Sequence, residues 1–151
     1  MSKNERLRLL VTGSTGPYGA HFAKHALELG HEVFSIKHQQ RPNDSASLLG
    51  ITDKVTWSTG DVRDTTFLAQ LLAQHEIKMV AHFAALPLVR VGTLVAQPIF
   101  DVNTNGTVAL LDAVKQVAAK RRVHFLMCSS VTGDTPVLVE VHGVRQRVTI
   151  A

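Results

Sequence analysis

Two periodicities alternate along this chain. Short apolar runs, of which Leu9-Leu10-Val11 is the first, carry the pattern of strands buried on both faces. They predict strands over 8–12, 32–37, 55–59, 79–83 and 123–128. Between them, apolar residues recur at helical spacing and predict helices over 17–29, 65–74 and 97–119. The first helix carries Ala20, Phe22, Ala23, Ala26, Leu27 and Leu29, with Gly30 as its stop. In the last, Val108, Leu111, Val114 and Ala118 form the stripe expected to face the core. The polar stretch 39–47, with Pro42-Asn43-Asp44, reads as a loop. Strands alternating with helices imply an α/β fold, a Rossmann-type doubly wound parallel sheet of about five strands with helices on both faces.

The pattern changes near the end. Residues 137–141 and 144–150 have a period of two and flank His142-Gly143, which predicts a β-hairpin. The chain thus divides into a Rossmann domain over 1–134 and an atypical tail over 135–151. The tail is expected to cover a sheet edge that would otherwise lie open.

Chemistry enters at the junction of the first strand and first helix, Thr12-Gly13-Ser14-Thr15-Gly16-Pro17-Tyr18-Gly19. A glycine turn that opens onto a helix N-terminus presents unpaired backbone N–H groups and the positive end of the helix dipole. Glycines let backbone approach a pyrophosphate and let helix and strand pack closely. Gly13, Ser14, Thr15, Gly16, Pro17, Tyr18 and Gly19 are therefore the candidate contacts to the pyrophosphate of NAD(P).

Composition narrows the classes. With 45% hydrophobic and 19% charged residues the 151-residue chain can build a core. No apolar run is long enough to span a bilayer and the first residues lack a signal-peptide core, so the expected location is cytoplasmic, with no membrane partner. A single cysteine, Cys128, excludes an internal disulfide and reads as an inert core thiol. The net charge is +4, and the cationic cluster Lys120-Arg121-Arg122 complements a helix C-terminus. Few aromatics and no basic stripe argue against nucleic acid. His21 and His25 share a helix face without a third ligand, so no metal site is assigned. His82, at a strand end, reads as a packing residue or the partner of a backbone hydrogen bond, and Trp57 as a packing residue.

The glycine spacing is TGxxGxxG, and further segments follow in order: Gly60-Asp61-Val62-Arg63-Asp64, His82-Phe83-Ala84-Ala85, Asn103-Thr104-Asn105-Gly106-Thr107 and Phe125-Leu126-Met127-Cys128-Ser129-Ser130. Over about residues 7–134 the chain resembles the extended short-chain dehydrogenase/reductases. Within them it is most like NAD(P)-dependent nucleotide-sugar epimerases and dehydratases of the GDP-mannose 4,6-dehydratase type. The resemblance implies that Asp61 and Val62 lie at the adenine, that the backbone of Phe83, Ala84 and Ala85 passes the cofactor, and that Asn103 lies toward the nicotinamide. It places Ser130 in the position of the catalytic Ser or Thr. Many relatives pair through helices of this half, which would allow a homodimer. The residues themselves leave other readings open: Asp61 and Asp64 as helix caps, Asn103 as a polar residue at a helix start, Ser129 and Ser130 as turn residues.

At the end of the second strand, Ile36-Lys37-His38-Gln39-Gln40-Arg41 holds no carboxylate to accept from a ribose 2′-OH. Lys37 and Arg41 suit a 2′-phosphate instead, so NADP is the preferred cofactor and NAD the alternative; both cations facing solvent is the other reading.

The family's reaction uses a tyrosine base with a lysine four residues later. Here Tyr18 is the one tyrosine, and no Tyr-x-x-x-Lys occurs. Ser129-Ser130 runs directly into Val131-Thr132-Gly133, with Thr132 where a tyrosine would stand. The expectation is the cofactor half of a nucleotide-sugar dehydratase or epimerase, truncated and inactive alone. It would meet a nucleotide sugar only when completed by further sequence or a partner chain. The alternative is a non-catalytic module that binds or senses NADP(H).

Overall fold

The computed structural model describes residues 6–38, 42–86 and 97–128, together with the backbone pairing of 137–141 and 144–148. Ser130, Arg41 and the proposed boundary at residue 134 lie outside the described residues.

Five parallel strands form one sheet: β1 (Arg8–Thr12), β2 (Glu32–Lys37), β3 (Thr56–Thr59), β4 (Met79–His82) and β5 (His124–Met127), in the order β3-β2-β1-β4-β5. The helices are α1 (Pro17–Glu28), α2 (Ser45–Leu48), α3 (Thr65–Gln74), α4 (Gln97–Phe100) and α5 (Gly106–Ala118). A π-helical turn over Asp101–Asn105 joins α4 to α5. The strand order reverses between β1 and β4, so the carboxyl ends of these two strands flank the crevice where such sheets receive ligands.

Strand alternation divides the core in two. Leu10 pairs in register with Phe34 on one side and Val80 on the other, and Val80 with Phe125. This row meets Leu68, Leu71 and Leu72 of α3 and Leu110, Ala113 and Val114 of α5. Leu9, Val11, Val33 and Ala81 point to the opposite face and meet Ala23 and Ala26 of α1. Leu10, Leu68, Leu72 and Leu110 are fully buried, each contributing about 2–3 kcal/mol of hydrophobic stabilisation.

The expected helix 97–119 is therefore interrupted, and its core stripe is rotated. Val108 and Leu111 are 51% and 40% exposed. The buried row is Ala109, Leu110, Ala113, Val114 and Val117. Two alanines on that row let α5 lie close to α3, so small residues rather than the bulkiest ones mark the packed side. The expected loop 39–47 contains the start of α2, whose N-cap Asp44 accepts from the Ser47 N–H at 2.9 Å. Cys128, expected in the core, is exposed just past β5. The hairpin forms as β6 (Val137–Val141) antiparallel to β7 (Val144–Val148). It is a separate two-stranded sheet and is not hydrogen-bonded to either edge strand, β3 or β5.

Candidate dinucleotide site

The glycine turn sits at the carboxyl end of β1 and feeds α1. Gly13 has φ +76°, and a Cβ there would lie 2.6 Å from the Phe83 carbonyl carbon and 2.7 Å from the Ala84 nitrogen. The chain leaving β4 thus forms one wall of the turn, close enough to exclude any side chain. A Cβ on Gly19 would run into the Gly13 carbonyl and come within 2.9 Å of the Ser14 nitrogen. The Gly16 N–H donates to the Gly13 carbonyl at 2.9 Å, closing the turn. No side chain caps α1 and its first turn carries no acid, so its N-terminal N–H groups face the crevice without a competing carboxylate. This bare backbone cradle fits a pyrophosphate. Tyr18, in the same loop, is 72% exposed.

Ser14 plays a different part from its neighbours. It is fully buried, with its hydroxyl 3.0 Å from the Val11 carbonyl and 2.9 Å from the Ser35 hydroxyl; Ser35 lies 2.6 Å from the same carbonyl. Two hydroxyl protons serve these three contacts and tie the turn to β2. The Ser14 side chain therefore anchors the loop from below, leaving its backbone toward the crevice. The Thr15 carbonyl accepts from the Ser45 N–H at 3.1 Å, which fastens the turn to the start of α2.

Beyond the turn, a chain of hydrogen bonds crosses the carboxyl ends of β1 and β4. The Ala84 N–H donates to the Thr12 hydroxyl at 3.2 Å, and that hydroxyl lies 2.7 Å from His82 Nδ1. His82 Nε2 lies 3.1 Å from the Thr107 hydroxyl, which donates to the Asn103 carbonyl at 2.6 Å. One proton per hydroxyl fixes the direction: Thr12 donates to Nδ1, and Nε2–H donates to Thr107. Burial pushes the His82 imidazole down to about 4, so it is neutral at physiological pH, as that single tautomer requires. The Asn103 side chain holds the backbone of Leu86, accepting from its N–H at 2.8 Å and donating to its carbonyl at 3.3 Å. The π-turn is what carries Asn103 to this position.

At the β3 end, Asp61 accepts from Arg63 three times, from the backbone N–H at 2.9 Å and from the guanidinium at 2.9 and 2.6 Å. The Arg63 side chain holds its carboxyl down to about 2 against the opposing cost of burial. Asp64, by contrast, caps α3, accepting from the Phe67 N–H at 2.9 Å. Val62 supports α5: a Cβ on Gly106 would lie 2.8 Å from its Cγ1. Lys37, at the end of β2, places Nζ 3.8 Å from the centre of the Trp57 ring. Phe83 stacks at a tilt on Phe22 of α1, with ring centres 5.2 Å apart, and Ala85 is exposed.

The structure thus brings Gly13, Gly16, Gly19, Phe83, Ala84 and Asn103 to one crevice, with Lys37 and Asp61 at strand ends on its β2–β3 side. The hub at Thr12, His82 and Thr107 was missed by sequence reasoning. Its only signal was a histidine and two threonines at the ends of elements, where each is ordinary. Among the described residues no group of three or more His, Cys, Asp or Glu is placed to hold a metal ion.

Comparison with known proteins bears on this site. Residues 10–133 match the family model described as GDP-mannose 4,6 dehydratase. A UDP-glucose 4-epimerase of Klebsiella pneumoniae is 32% identical over 139 residues, 86% of this chain and 95% of that relative. One from Yersinia pestis is 33% identical over 135 residues, 85% of this chain but 38% of that relative. Among solved structures, a UDP-glucose 4-epimerase from Stenotrophomonas maltophila, with bound NAD and formylated UDP-arabinopyranose, is similar with a TM-score of 0.73. It is 30% identical, over 87% of this chain and 39% of that one. A dTDP-glucose 4,6-dehydratase from Streptomyces venezuelae, with NAD bound, is 28% identical with a TM-score of 0.64, over 74% of this chain and 37% of that one. The chain thus spans about two-fifths of the Yersinia and Stenotrophomonas proteins.

Proposed function

The chain belongs to the extended short-chain dehydrogenase/reductase family of nucleotide-sugar epimerases and dehydratases, and we propose that residues 1–151 serve as the NAD(P)-binding domain of such a protein. The observation that carries this reading is the Gly13 cradle, a positive-φ glycine walled by the Phe83–Ala84 backbone beneath an uncapped helix N-terminus. In it, the N–H groups at the start of α1 would hold the pyrophosphate. Asp61 and Val62 would border the adenine. Phe83, Ala84 and Ala85 would line the path toward the nicotinamide, with Asn103 holding that path in place. When bound, the dinucleotide supplies a hydride acceptor at its nicotinamide ring. The residues of this chain bind and orient it.

NADP is the favoured form. Lys37 stands where NAD-selective sites carry an acid, and on its Trp57 platform it is a cation beside the adenosine ribose position. Energy transfer from Trp57 to NADPH and to NADH would measure both affinities. Lys37→Ala weakening NADPH binding and leaving NADH unchanged supports the assignment; equal loss for both ends it.

The resemblance points to a Tyr-x-x-x-Lys pair for turnover of a nucleotide sugar, and residues 1–151 contain no such pair, their one tyrosine being Tyr18 in the glycine turn. A second reading is a module that binds NADP(H) without chemistry of its own. Activity that emerges only on mixing with a full-length relative separates completion by a partner from pure binding. Self-association belongs to the same reading: Val108 and Leu111 are the exposed apolar residues of α5 that a second copy would cover, and sedimentation would give the mass.

A further inference from the structure

The hydrogen-bond chain through His82 runs in one direction only. Ala84 N–H donates to Thr12, Thr12 to His82 Nδ1, His82 Nε2–H to Thr107, and Thr107 to the Asn103 carbonyl. Its members come from four segments: the end of β1, the exit of β4, the π-turn and the start of α5. Two of these segments are the walls of the cradle. Gly13 follows Thr12 directly, and Ala84 is the backbone that a Cβ on Gly13 would strike. His82 is 4% exposed, too deep to touch a ligand, yet both its ring nitrogens are engaged.

We propose that His82 is a positioning residue for the dinucleotide: by bridging Thr12 to Thr107 it locks the glycine turn and the β4 exit, already joined to each other through Thr12, against the π-turn and the start of α5. A plain hydrophobic residue would fill the space, but it would remove the acceptor of the buried Thr12 hydroxyl and the donor to the half-buried Thr107 hydroxyl, and so cut the side-chain tie from β1 through β4 to α5. The imidazole adds direction, because a neutral ring accepts on one side and donates on the other. The ligand gains from walls already set at the right separation rather than ordered on binding. This inference rests on the dinucleotide reading of the site.

The test measures NADP⁺ and NAD⁺ affinity of the full chain by calorimetry in four forms: wild type, His82→Leu, His82→Gln and Thr107→Val. Gly30→Ala serves as a control that perturbs a distant turn, where an added Cβ meets nothing within 4 Å. His82→Leu is expected to weaken binding about tenfold, the scale of one or two lost hydrogen bonds. His82→Gln, whose amide can still donate to Thr107, should recover much of this. Thr107→Val, which does not border the ligand, should weaken binding about threefold. Long-range ¹H–¹⁵N spectra should show His82 as the pure Nε2–H tautomer in the wild type and as a mixture in Thr107→Val.

If His82→Leu does not fold, His82→Gln and Thr107→Val decide. Affinities of the folded variants within twofold of wild type, or an unchanged tautomer in Thr107→Val, overturn the proposal while leaving the dinucleotide site standing. A folded wild type that binds neither dinucleotide overturns both.

Discussion

Substituting alanine for single glycines separates backbone strain from crowding at the cradle. Gly30 has φ +84° with open space around it, so Gly30→Ala adds only the cost of a left-handed alanine, about 1–2 kcal/mol. Reduced freedom of the unfolded chain offsets about 0.4–1 kcal/mol of that, leaving about 1 kcal/mol net. Gly19 has no positive φ but would strike the Gly13 backbone. Gly19→Ala therefore costs overpacking of about 1–3 kcal/mol, offset by about 1 kcal/mol of helix propensity. Gly13 combines both penalties. Its φ is +76°, and the atoms its Cβ would meet are backbone, which cannot rotate aside. Gly13→Ala should cost about 3 kcal/mol or more, a large share of the stability of a domain this size. Urea unfolding followed by Trp57 fluorescence reads all three, since Trp57 is the one tryptophan and is partly buried on β3. Dinucleotide binding should survive in Gly30→Ala and be lost in Gly13→Ala. A Gly13→Ala protein within 1 kcal/mol of Gly30→Ala would refute the close approach of the β4 exit to the turn.

Other outcomes follow from the same contacts. His82 has a folded pKa of about 4 against 6.5 when free, so the unfolded chain takes up its proton first as pH falls. Its contribution is present above about 6.5 and lost between 6.5 and 4, a change of about 3 kcal/mol. Urea unfolding of wild type and His82→Gln across that window should show the wild type lose this amount relative to the variant as pH falls; parallel curves would contradict it. Asp61 contributes stability above its ordinary value of 3.8 that is lost as pH falls toward about 2. Arg63→Ala should raise the Asp61 titration, read by NMR, and an unmoved pKa would show that the fork does not persist in solution. Asp64→Ala should cost about 1 kcal/mol by removing the α3 cap, measured by the same unfolding assay.

Much of this was legible in the chain. Strand runs such as Leu9-Leu10-Val11 are continuous because β1 is buried on both faces, and that signal survives any detail of packing. The glycine turn was equally plain, because positive φ and close approach both demand glycine. What sequence could not fix was which face of an all-apolar stretch is inside. In α5 the choice fell on Ala109 and Ala113 because α3 comes close, a fact of tertiary geometry. The His82 hub was hidden for a related reason. Thr12, His82 and Thr107 are 70 and 25 residues apart at its two links and meet only once β1, β4 and α5 are assembled. The role of the Asn103 side chain likewise depends on the π-turn that breaks the expected helix.

The central claim is that the Gly13 cradle holds a dinucleotide, and calorimetric melting of the full chain with increasing NADP⁺ tests it most directly. A ligand that binds only the folded state adds about 1.4 kcal/mol of stability for each tenfold rise in concentration above its Kd. The account predicts that increment with NADP⁺, a later onset with NAD⁺, and none with Gly13→Ala. A cooperative melt that neither dinucleotide moves would contradict it.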